Sequence, residues 1–181
     1  MPNGFIQENL DREWKPWGTQ REATINGQGR QLYTMVAGYE YSRDKKFLDA
    51  VTKAAEFMQK MRDSQYGGYY NRTTPDLKVI DGNKTIYTSF ALFSLAHAYR
   101  VTKDPKYLKA AMETYHEITT KMRDGQFFNG FKRDFSGLAE SPYGDAQSNP
   151  GRGAAPGVSG LCDPSKRESP EANPWRVHHS L

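Results

Sequence analysis

At 181 residues the chain has room for one domain of ordinary size and not for two full ones. Its 25 Lys and Arg against 21 Asp and Glu leave a net charge of +4, but both signs are interspersed with no basic block, which argues against nucleic acid as a partner. The lone Cys162 excludes an intrachain disulfide and any multi-cysteine metal centre, and no stretch approaches the about 18 uninterrupted apolar residues of a membrane span. The amino terminus, Met1-Pro2-Asn3-Gly4-Phe5-Ile6-Gln7, has neither a charged nor an apolar signal region, so a soluble, cytoplasmic protein is expected. The 11 Tyr, 9 Phe and 3 Trp point to a core of amphipathic rings whose polar tips can also line a wet cavity.

In chain order, the first strong signal is a helix over residues 28–41, where Leu32, Met35, Val36 and Tyr39 fall at helical spacing. The polar turn Ser42-Arg43-Asp44-Lys45 follows, with Asp44 as N-cap of a second helix over 46–62 that carries Phe47, Ala50, Val51, Ala54, Phe57, Met58 and Met61. A glycine-aromatic loop, Gly67-Gly68-Tyr69-Tyr70-Asn71, ends this hairpin. A third helix is expected to start at Asn83 or Lys84 and run to Val101, with Ile86, Phe90, Phe93 and Leu95. Thr102-Lys103-Asp104 turns the chain; Asp104 is the matching N-cap, and Pro105 sits at the first helical position, where its missing donor costs nothing. The fourth helix runs to about Met122 with Tyr107, Leu108, Ala111, Met112, Tyr115 and Ile118 on its buried side. Asn129-Gly130-Phe131 closes the second hairpin as Gly67-Gly68-Tyr69 closes the first, and Asn3-Gly4-Phe5 resembles the end of an earlier, mostly missing copy.

The two hairpins are one unit repeated at a spacing of 60. Leu32, Tyr39, Asp44, Lys46, Leu48 and Ala50 recur as Leu92, Tyr99, Asp104, Lys106, Leu108 and Ala110, and the Met61-Arg62-Asp63 segment returns as Met122-Arg123-Asp124. A helical hairpin buries its apolar faces only by stacking on neighbours, so the fold class is all-α, a partial solenoid or toroid whose long loops gather on one side. Residues 149–181 read differently, with five prolines, four glycines, four serines and no helical periodicity. They form a tail, disordered or frameshifted, and the His178-His179 pair within it lacks partners for a metal.

Gln28-Gly29-Arg30-Gln31 opening a helix, the Gly67-Gly68-Tyr69 loop, Asp81-Gly82-Asn83-Lys84 followed by Tyr87, Phe90, Ala91 and Leu95, and the turn from Val101 to Leu108 together resemble the N-acylglucosamine 2-epimerase family of sugar 2-epimerases and aldose–ketose isomerases. The resemblance covers about residues 3–150. It implies an (α/α)6 barrel of twelve helices, with residues 1–148 an incomplete copy, and a small-molecule sugar as substrate. The implied reaction is proton abstraction next to the carbonyl of a ring-opened aldose, through a cis-enediolate, by histidines acting as base and acid without metal or cofactor. On this match Arg30 falls on the family's active-site arginine and Tyr87 on its sugar-contacting tyrosine; Gln28, as a partner that orients Arg30, and Lys84, at the loop entrance or paired with an acid, complete the candidate substrate-binding set. The match breaks at Ser148-Asn149-Pro150, where Gly, Pro and Ser replace a helix bearing a histidine. A truncated sugar isomerase, weak or inactive alone, is therefore expected, and no catalytic residue is assigned.

His97 and His116 read as packed or surface residues, and Asp63 and Asp81 as turn and capping residues. Two other readings stand beside the isomerase. One is a toroidal glycoside hydrolase using Asp81 and Asp63 as its carboxylates. The other is a non-catalytic half-ring, whose exposed helical flanks invite a homo-oligomer or another chain.

Overall fold

The computed structural model describes residues 3–17, 21–124, 126–127 and 130–139. The chain divides into two compact units, Met1–Ser141 and Pro142–Leu181, and every described residue belongs to the first. The tail expected over 149–181, with Cys162 and His178-His179, and the Ser148-Asn149-Pro150 break lie outside the described residues, as does Asn129.

The short strand β1 (Ala23–Thr24) runs straight into α1 (Ile25–Ser42), and the change of backbone is made at Thr24, whose hydroxyl accepts from the Gly27 amide at 2.9 Å. The helix ends at Arg43, which adopts the left-handed conformation (φ +58°) and donates its amide to the Tyr39 carbonyl at 2.8 Å. Asp44 then caps α2 (Lys45–Lys60) by accepting from the Lys46 amide at 2.9 Å. The second hairpin repeats each step. Helix α3 (Thr88–Thr102) ends at left-handed Lys103 (φ +60°), which bonds Tyr99, and Asp104 caps α4 (Pro105–Lys121) through the Lys106 amide. The 60-residue repeat thus extends to single dihedrals and caps.

Between the hairpins lie β2 (Arg72–Thr73), β3 (Val79–Asp81) and β4 (Lys84–Thr85); after α4 come β5 (Arg123–Asp124), β6 (Gln126–Phe127) and β7 (Gly130–Phe131). Antiparallel pairing makes a three-stranded ribbon β1-β2-β3 and two-stranded ribbons β4-β7 and β5-β6. These ribbons correct the sequence-based start of α3. Lys84 and Thr85 are extended because they pair with Phe131 and Gly130, and the helix begins only at Thr88.

Helices α1 and α3 lie side by side, with α2 packed on α1 and α4 on α3. Gly29 allows the close approach of α1 to α3, since a Cβ there would stand 2.9 Å from both Cβ and the carbonyl oxygen of Phe90. Leu32, Val36, Val51, Phe57, Met58, Leu95 and Tyr107 fill the core between them, each large side chain contributing about 1.5–3 kcal/mol of burial. Phe5 extends this core, its ring 5.8 Å from that of Phe57. Three residues expected on the buried side of α4 are not there: Leu108, Met112 and Tyr115 stand exposed. Periodicity identifies an apolar stripe, but burial also needs an element to cover it.

Candidate functional site

Two of the four candidate binding residues meet on one surface. Arg30, on the first turns of α1, is exposed and lies with its Cζ 6.0 Å from the centre of the Phe90 ring. Tyr87, the N-cap residue of α3, is also exposed, and its ring centre stands 6.4 Å from that of the same Phe90. The close contact at Gly29 sets this spacing, because it presses α1 onto Phe90. The face continues along both helices, where Tyr33 lies 4.8 Å from Phe93 and 5.0 Å from His97, and Arg100 pairs with Glu40 at 2.7 Å. Burial, aided by the nearby Arg100 and opposed by Glu40, pushes His97 below the usual histidine range. An exposed guanidinium beside aromatic rings offers forked donors for hydroxyl and carbonyl oxygens and an apolar surface for the C–H face of a ring.

The other two candidates are buried elsewhere. Gln28 donates its amide to the Ile6 carbonyl at 2.7 Å and to Glu8 at 2.8 Å, and accepts from the Ile6 amide at 3.0 Å. It fastens the N-terminal segment to α1 rather than orienting Arg30. Lys84 is fully buried, its ammonium donating to Asp63 at 2.9 Å. Arg133 closes on the same carboxylate, Nε to Oδ2 at 2.7 Å and Nη2 to Oδ1 at 3.2 Å, while stacking on Tyr66 and Tyr70. Burial alone would raise the Asp63 carboxyl, but the hydrogen bonds from Arg133 and Lys84 outweigh it and hold the group well below the usual carboxylate range. Burial pushes the Lys84 ammonium below the usual lysine range, and Asp63 offsets this only in part. Nearby, Arg62 pairs with Glu117 at 2.6 Å, and Glu117 accepts from the Gly68 amide at 3.0 Å, so the loop after α2 is bound to α4. Gly67 and Gly68 make this possible with φ of +82° and +66°.

Asp81 accepts from the Asn71 side chain at 2.7 Å and from the Asn83 amide at 3.0 Å, and Asp63 also accepts from the Gln65 amide at 3.0 Å, so both carboxylates hold loops. His116 is exposed on α4. Among the described residues no cluster of three His, Cys, Asp or Glu side chains could hold a metal ion, and no helix is long and apolar enough to cross a membrane. The Phe90 platform on this surface and the Arg133 clasp at Asp63 are the two features that sequence reasoning left without a role. Phe90 carried a signal in its spacing from Tyr87; Arg133 carried none.

Paired helical hairpins in this arrangement define a class, the helical toroids, and the architecture is a partial (α/α)6 toroid. The structure of cellobiose 2-epimerase from Spirochaeta thermophila superimposes with a TM-score of 0.70 at 21% identity, over 80% of this chain and 36% of that one. A family 76 glycoside hydrolase (mannosidase) from Bacteroides thetaiotaomicron follows with a TM-score of 0.55 at 16% identity, over 61% of this chain and 30% of that one. In sequence, cellobiose 2-epimerase of Bacteroides fragilis is 25% identical over 126 residues, which are 66% of this chain and 32% of the relative. The N-acylglucosamine 2-epimerase (GlcNAc 2-epimerase) family model matches residues 4–149, and the chain belongs to that family. It spans about a third of the length of these relatives.

Proposed function

We propose that the chain serves a sugar 2-epimerase or aldose–ketose isomerase, and that the surface made by Arg30, Phe90 and Tyr87 is its substrate-binding wall. One observation carries the reading: Arg30 and Tyr87, from different repeats, both lie close to the Phe90 ring while remaining exposed. On a ring-opened aldose the C2–H bond breaks, its proton passes to a base, and its electron pair moves onto the carbonyl oxygen to give a cis-enediolate. A proton returned to the opposite face of C2 gives the epimer; one returned to C1 gives the ketose. The Arg30 guanidinium is the group suited to hold the oxygen on which charge develops, and Tyr87 and Phe90 to orient the sugar chain. The described residues supply binding and charge stabilisation in this scheme and no assigned base, so the 181-residue chain is expected to bind sugar with weak or no turnover.

Titration of the full chain with cellobiose, followed by amide chemical shifts, tests the proposal. Saturable binding is expected, weakened about tenfold in Arg30→Ala, the loss of a charge-assisted hydrogen bond of about 1.5 kcal/mol, and less in Tyr87→Ala. Absence of binding, or binding indifferent to both substitutions, would refute the assignment of the wall. Incorporation of deuterium at C2 from heavy water by the isolated chain would refute the lack of turnover.

A further inference from the structure

Of the four described helices, three begin at a side-chain cap, Thr24, Asp44 and Asp104, whereas α3 begins at Tyr87 without one. The start of α3, and with it the place of Tyr87, is therefore fixed from outside the helix. Besides the pairing of β4 with β7, two side chains of β4 hold it: Lys84 reaches Asp63, and the Thr85 hydroxyl donates to the side-chain carbonyl of Asn71 at 3.2 Å. Asn71 stands directly before β2 and is engaged on three sides. Its side-chain nitrogen donates to Asp81 at 2.7 Å, and its backbone carbonyl accepts from the Ile25 amide at 3.0 Å. Ile25 is the first residue of α1, so this amide is one of the donors that a helix start leaves without an internal partner. Asp81 in turn accepts from the amide of Asn83, the residue before β4. One residue thus binds the start of the helix that carries Arg30 and the strand that leads into Tyr87.

We propose that Asn71 is the positioning residue of the surface made by Arg30, Phe90 and Tyr87. Through Thr85 its side chain holds Tyr87 beside Phe90, and through its backbone carbonyl it keeps the start of α1 level with that point. The proposal rests on the reading of this surface as the substrate wall. An amide suits the position because one short side chain must give a donor to the Asp81 carboxylate, which only accepts, and an acceptor to the Thr85 hydroxyl. An aspartate there would lose the donor and set a second carboxylate against Asp81. Binding groups keep their geometry, to within about 0.5 Å, only when hydrogen bonds behind them hold their supports. The two attachments of Asn71 are also separable. Truncating the side chain removes the tie to Thr85 but leaves the backbone bond to Ile25, so the change reaches Tyr87 and spares Arg30.

Two variants of the full chain test this: Asn71→Ala, and Thr85→Val, which removes the hydroxyl donor while keeping the shape of the side chain. In NMR spectra the ring-to-ring NOEs between Tyr87 and Phe90, whose centres stand 6.4 Å apart, should weaken in both variants while far-UV circular dichroism stays unchanged. Affinity for cellobiose should fall about threefold in each, within the ordinary net worth of one hydrogen bond. In a double-mutant cycle that fall should vanish on the Tyr87→Ala background and persist on the Arg30→Ala background. A role confined to stability would weaken binding on both backgrounds alike. Thr85→Val carries the test alone should Asn71→Ala unfold. Unchanged ring NOEs in either folded variant, or an equal loss of affinity on both backgrounds, would overturn the proposal. Should the unaltered chain fail to bind cellobiose, the wall reading falls by itself, and the Tyr87–Phe90 NOEs still decide whether Asn71 sets the geometry.

Discussion

Asp63 is a fully buried carboxylate held ionised by two cations, Lys84 and Arg133. Its folded-state affinity for a proton lies below that of the unfolded chain, so its contribution to stability is complete above the usual carboxylate pKa of about 4 and is lost as pH falls through the lower folded value. Asp63→Asn should therefore cost about 3 kcal/mol at neutral pH, because it leaves Lys84 buried without a counter-charge. It should also flatten the fall in stability between about pH 5 and pH 2. Urea titrations of both proteins across this range check the expectation, and equal acid sensitivity would place the titrating group elsewhere. The sequence offered Lys84 as paired with an acid, but not which acid, nor that Arg133 joins it. Lys84 is 21 positions from Asp63 and Arg133 is 70, and neither spacing belongs to a local motif. That Arg30 and Tyr87 lie near helix starts was readable, because both sit in short local patterns; that they share the Phe90 ring was not. The engagement of Gln28 with Ile6 and Glu8 was not, since it depends on where a loop folds back.

At the scale of elements, the caps were the most readable features. Asp44 and Asp104 are followed by helix-compatible residues and preceded by hydroxyl residues that close the turn, Ser42 and Thr102, each of which accepts from the cap amide at 3.2 Å. The start of α3 was not readable, because a two-residue strand such as β4 is extended only by virtue of its distant partner β7. Gly29 is where one element positions another. Gly29→Ala adds a methyl group against the Phe90 backbone, an overpacking worth about 1–3 kcal/mol. A lower melting temperature is expected together with weaker sugar binding, although neither Arg30 nor Tyr87 is changed. Weaker binding with an unchanged melting temperature would point to a direct role for position 29.

Across the whole molecule, hydrophobic patterning stated more than the described chain buries. The stripe Leu108, Met112 and Tyr115 has the spacing of a core face, yet among the described residues nothing covers it. The equivalent positions on α2 are more covered, Ala55 fully and Leu48 and Thr52 in part, so one sequence pattern yields different burial according to what packs against it.

The clasp at Asp63 also bears on time. Each hairpin joins residues close in sequence, whereas Arg133 reaches Asp63 only after both hairpins and the intervening ribbons are in place. Near contacts form early and distant ones wait on loop closure, so this junction belongs late on the folding path. Interactions absent from the transition state act on the rate of escape from the native state. Stopped-flow measurements on Arg133→Gln should show faster unfolding at an unchanged refolding rate; slower refolding would place the clasp in the nucleus. A late-closing junction between loops thus governs how long the folded chain lasts rather than how quickly it forms.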